Sequence, residues 1–118
     1  MALETSLLDL ALDTMATEVV SVSLHTADPG GTGANEITGG AYARQTPSWA
    51  AASGGSVSTD ADMTFDVPAG NTVAYVGFWG DDGGTPVWRG STALDNQPDM
   101  SGDGQYVVTS ATLTLTAV

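Results

Sequence analysis

The stretch TVAYVGFWG, residues 72–80, carries apolar side chains on both faces of an extended chain. Val73, Tyr75 and Trp79 fall on one face; Ala74, Val76 and Phe78 fall on the other. A strand covered on both sides lies inside a sheet, so this segment predicts a central strand. DDGGT follows as a turn, and PVWRGS predicts the returning strand.

The same period of two spreads outward. MTFDV places Met63, Phe65 and Val67 on one face, and Pro68, Ala69, Gly70 and Asn71 turn the chain. TPSWAAASGGSVSTD reads as strand, turn, strand, with Gly54 and Gly55 supplying the positive φ of a tight hairpin. From Val19 onward, Val20, Val22 and Leu24 point one way and Ser21, Ser23 and His25 the other. LDNQPDMSGDG is a polar loop. QYVVTSATLTLTAV predicts one long closing strand, with Leu113, Leu115 and Ala117 inward and Thr112, Thr114 and Thr116 outward. About seven or eight strands at regular spacing predict an all-β fold, a β-sandwich or jelly-roll-like arrangement.

Ahead of the strands, Leu3 to Ala16 predict the one helix. Leu7, Leu8, Leu12 and Met15 recur near helical spacing, with Leu3 and Ala11 beside them. Thr5 or Ser6 is the expected cap, which puts Asp9 in the first turn. A helix this short must dock its apolar stripe on the sheet or on another subunit. The expected organisation is one domain over 1–118, with residues 1–17 as a docking helix and 18–118 as the sandwich.

Charge excludes several partners. The 118 residues include 14 acids, two arginines and no lysine, for a net charge of −12. Nucleic-acid binding needs several cations to displace counterions, and this chain lacks them. Binding to an anionic membrane is disfavoured for the same reason. No apolar run reaches the roughly 18 residues of a transmembrane helix, so membrane insertion is not expected. The acidic N-terminus is unlike a secretory signal peptide. Without cysteine there is neither a disulfide framework nor a thiolate nucleophile. A high-GC coding sequence and a high-salt environment both account for the acid bias, since salt screens self-repulsion.

The chemistry-bearing residues are few. His25 is the one histidine, no G-x-S-x-G elbow is present, and the acid pairs Asp60/Asp62 and Asp81/Asp82 lie at turns. Catalysis is not expected. A transition-metal site lacks ligands. Asp95, Asp99 and Asp103 are weak calcium candidates in a loop without EF-hand spacing, so no cofactor is expected beyond that ion. GGTGANE lacks the lysine of a phosphate loop. Trp49 and Trp88 are read either as core or as a sugar-stacking platform. Arg44 and Arg89 pair with carboxylates of this chain or of a neighbour. In the long loop from Thr26 to Gly40, Asp28 and Asn35 can hold turns, and Glu36 is a further candidate contact.

In order along the chain, SLHTADPG, GANE, GGAYAR, a Trp-containing strand, VPAG and VGFW resemble small virion proteins of tailed phages, of the tail-fibre or minor tail type. The likeness runs from about Val22 to Trp79, with an echo in WRGS. It implies a non-enzymatic structural role in the virion, on the tail or the capsid exterior, in contact with other virion proteins. It carries over no catalytic residue. A homo-oligomer, a trimer for instance, is the expected assembly. A capsid decoration protein and a module binding a host-surface glycan are the alternatives. His25, Asp28, Asn35, Glu36, Arg44, Trp49, Trp88 and Arg89 are the candidate assembly or ligand contacts.

Overall fold

The computed structural model describes residues 3–115. One helix, α1 (Thr5–Glu18), precedes seven strands: β1 (Ser21–His25), β2 (Ser56–Ser58), β3 (Met63–Val67), β4 (Tyr75–Asp82), β5 (Thr85–Ala93), β6 (Gly104–Val108) and β7 (Thr112–Thr114). The all-β expectation with an N-terminal helix holds. Every strand pairing is antiparallel.

β4 is the centre of the sheet β1-β4-β5, as its two apolar faces require. Val22 and Leu24 of β1 stand opposite Phe78 and Val76. These four join Val19, Ile37, Met63, Phe65, Val67, Val73, Val108 and Ala111 in the main core. The other face of β1 and β4 carries Ser23, His25, Tyr75, Gly77 and Trp79. β4 and β5 form a hairpin through Gly83 and Gly84, with a bulge where Phe78 pairs with Gly90 and Trp79 pairs with Trp88. Arg89 is the extra residue.

The remaining strands form two ribbons, β2-β7 and β3-β6. They are consecutive parts of one bent ribbon. Ser56–Ser58 pair with Thr114–Thr112, and the Thr59 amide continues the ladder to the Ala111 carbonyl. The ladder resumes with Met63 opposite Val108. Asp60–Asp62 bridge the gap on one strand and Thr109–Ser110 on the other, so one side holds an additional residue. A bulge of this kind bends a ribbon. The single long strand expected over 105–118 is therefore two, β6 and β7. Ala117 and Thr116 lie outside the described residues.

The helix departs from expectation in three respects. It is shifted to Thr5–Glu18, and its N-cap is Glu4, without a side-chain cap bond. Its buried face is Leu8, Leu12 and Ala16, at a spacing of four. The expected stripe mixed this face with its neighbour, and Leu3, Leu7, Leu10 and Met15 are exposed. Leu12 and Ala16 pack on Val57 in a second, smaller core bordered by Trp49 and Leu113. Asp9 does not serve the first turn. Its carboxylate accepts the Gly55 amide at 2.8 Å, and Asp13 accepts the Ala52 amide at 2.8 Å. These two acids clamp the helix to the 52–55 turn, where Gly54 and Gly55 take φ of 62° and 84°. Residues 46–53 make only isolated bridges, Trp49 to Thr59 and Ser53 to Ser56, and not the full strand expected. Val20 is also exposed, beyond the edge of the core.

Candidate functional site

The long loop after β1 folds back over the outer face of the sheet. Asp28 begins it by accepting the Gly30 amide at 2.9 Å. Asn35, at φ 65°, donates its side-chain amide to the Asp28 carbonyl at 3.0 Å. The Thr26 amide donates to the Asn35 carbonyl at 2.9 Å, and the Ile37 amide to the Leu24 carbonyl at 3.0 Å. Asp28 and Asn35 thus close the loop on itself. Gly33 lies against the indoles: at its φ of 78°, a Cβ would come within 2.7 Å of both Trp79 and Trp88. Only a residue without a side chain fits there.

Beneath the loop, His25 is fully buried. Its hydrogen bonds fix its tautomer. The Ala34 carbonyl can only accept, so Nδ1 carries the proton and donates to it at 2.8 Å. Trp79 Nε1 can only donate, and does so to Ser23 Oγ at 2.8 Å. Ser23 Oγ therefore donates its own proton to His25 Nε2 at 2.7 Å. The chain Trp79–Ser23–His25–Ala34 satisfies every polar group in it. Trp88 meets the His25 ring edge-on at 5.4 Å and Trp79 at 5.0 Å. Burial holds the imidazole below its ordinary pKa, against the opposing pull of the Ala34 bond and of Glu36. A neutral, enclosed His25 whose acceptor nitrogen is occupied supports the loop.

Arg44 closes the far side. Its Nε and its terminal nitrogen donate to Glu36 at 3.0 and 2.8 Å, a bidentate pair. Its guanidinium lies 3.9 Å above the Trp79 ring. Tyr42 Oη donates to Glu36 at 2.8 Å and accepts the Leu24 amide at 3.0 Å. Burial pushes the Glu36 carboxyl up, but the bonds from Arg44 and Tyr42 outweigh this and hold it below its ordinary value. Burial drives the Tyr42 hydroxyl upward.

Five of the eight candidate contacts, His25, Asp28, Asn35, Glu36 and Arg44, therefore meet in one plate, with Trp88 beneath it. Sequence reasoning missed Ser23, Gly33, Tyr42, Gly77 and Trp79 as members. A Gly on an otherwise apolar strand beside two indoles was the available signal for Gly77. Trp49 lies elsewhere, between the two cores, 6.4 Å from Phe78, and its buried Nε1 has no partner among the described residues. Arg89 also stands apart. Among the described residues the ion pair is Arg44–Glu36, and no carboxylate reaches Arg89.

The acidic loop does not gather into a metal cage. Asp99 accepts the Thr72 hydroxyl and Asp103 accepts the Ala69 amide at 2.9 Å, while Asp95 is exposed. Among the described residues no three His, Cys, Asp or Glu side chains converge. No described helix is long and apolar enough to cross a membrane.

No curated protein and no solved structure matches this chain. A family model does: the family described as Podophage GP4 fiber I protein gp80 matches residues 1–116. The chain belongs to that family of phage fibre proteins, structural components of the virion tail that work in contact with other virion proteins.

Proposed function

We propose that this chain is a non-enzymatic subunit of a tail fibre that assembles with copies of itself as well as with its neighbours in the tail. The observation that supports this reading is how the polar groups of the 26–44 loop are used. His25, Glu36 and Arg44, the groups best suited to chemistry, are bonded inward to make a rigid plate. The apolar groups Leu7, Leu10 and Met15 of the helix, with Leu3 just ahead of it, are meanwhile left facing outward. Inward chemistry and outward hydrophobicity suit a building block. Exposed leucines on one helix offer a surface for association.

Light scattering of the purified chain across a concentration series tests self-assembly. A discrete oligomer, such as a trimer, is expected, and a monomer at every concentration rejects it. Antibody labelling of whole particles tests position. Label on the tail is expected; label on the head alone would establish the capsid decoration reading instead. The glycan reading draws less support, because the indoles of Trp49 and Trp88 are engaged with Phe78 and with His25 and Trp79.

A further inference from the structure

An open groove of about 800 Å³ lies between the edge of the central sheet and the bent ribbon. One wall is Arg89–Thr92 of β5 and the other is Thr112–Thr114 of β7, with Val19, Phe78 and Met15 between them. Consecutive residues line both walls. A strand face would contribute alternate residues, so the groove is walled by the backbone edges themselves. Among the described residues β5 pairs only with β4, and β7 only with β2. Two unpaired strand edges therefore flank one slot with an apolar floor.

Proteins ordinarily blunt or cover such edges, because unpaired amides and carbonyls recruit another strand. The charges in the groove indicate the recruit. Glu18 and Arg89 both line it. Arg89 is placed there by the β4–β5 bulge, and among the described residues it is the one arginine without a carboxylate. In a molecule of net charge −12, this is where an incoming carboxylate meets a cation.

We propose that the groove takes one extended segment of a different chain of the particle, which adds as a strand between β5 and β7. The segment carries alternating apolar side chains for the floor and a carboxylate for Arg89. Its insertion would join β1-β4-β5 to β7-β2 in a continuous sheet. Backbone bonding supplies the affinity and the floor with Arg89 the selectivity, as in strand addition generally. The proposal rests on the fibre reading for the source of the segment, but the test below uses no particle, so its failure leaves that reading standing.

The probe is a blocked six-residue peptide, Thr-Val-Asp-Val-Thr-Val, added to the full chain, with amide hydrogen exchange as readout. Slower exchange within Arg89–Thr92 and Thr112–Thr114 is expected. An Arg89→Gln chain, with its unchanged thermal transition as the control for folding, is expected to bind about tenfold more weakly. The same loss is expected for a peptide with Asn in place of Asp, and a peptide N-methylated at alternate residues should not bind. Three results would overturn the proposal: no slowing at these amides, equal slowing by the N-methylated peptide, or slowing of the same amides by self-association when the chain is concentrated without peptide.

Discussion

Gly77 shows how tightly the plate is seated on the sheet. A Cβ there would lie 2.5 Å from both His25 Nε2 and Ser23 Oγ, and 2.7 Å from Trp88. Overpacking of this kind displaces a whole hydrogen-bonded chain rather than one rotamer. Gly77→Ala is expected to cost about 1–3 kcal/mol in urea unfolding. Gly31→Ala, in the loop that forms the plate and with open space around it, is expected to stay within about 1 kcal/mol of the parent. Titration of His25 gives a second expectation. Its folded pKa is lowered, so the unfolded chain takes up the proton first. Its contribution is complete above the unfolded value of about 6.5 and is lost as pH falls through the folded value. Glu36, also lowered, adds a further loss below about pH 4.5. Chemical denaturation between pH 8 and 4 is expected to show stability falling from about pH 6.5 downward. In His25→Gln the slope between about pH 6.5 and 5 should flatten, even if that variant is less stable throughout.

At the scale of elements, α1 has two separable faces. Leu12 is fully buried on Val57, whereas Leu10 is 64% exposed. Leu12→Ala is expected to cost about 2–5 kcal/mol. Leu10→Ser is expected to leave monomer stability within about 0.5 kcal/mol and to weaken association, read by thermal melting and light scattering together. What the sequence disclosed about such elements follows from the range of the interactions. β3, β4 and the Gly54–Gly55 turn are legible because alternation and turn chemistry are local. The break between β6 and β7 is not, because Val107 to Leu115 alternates well enough to continue. Only the bulge opposite, at Asp60–Asp62, shows where the chain bends. The candidate contacts in the loop were legible as polar residues, but their direction was not. His25 turns inward because the Ala34 carbonyl accepts its Nδ1 proton and Trp79 donates to the Ser23 hydroxyl that bonds its Nε2, and neither Ala34 nor Trp79 is a neighbour in sequence.

For the whole molecule, repulsion among the acids opposes the packing just described. Of the two arginines, Arg44 is committed to Glu36, so most carboxylates face solvent without a counter-charge. Raising sodium chloride from about 0.05 to 1 M shortens the screening length to about 3 Å. The melting temperature is expected to rise by about 5 °C or more over that range, measured by circular dichroism. An unchanged or falling value would show that self-repulsion is not a significant term. The bent ribbon sets the order in which the chain comes together. Its paired residues are distant, 39 positions apart for Asp66 and Gln105 and 54 for Ser58 and Thr112, and the β4–β5 hairpin lies between them. Closing so large a loop early gains little, so the hairpin should nucleate and the ribbon should zip last. In stopped-flow experiments Val76→Ala should slow refolding, whereas Leu113→Ala should mainly hasten unfolding. Until that final zippering, the strands of 56–67 wait without partners, which makes this interval the one in which a growing fibre risks mispairing neighbouring chains.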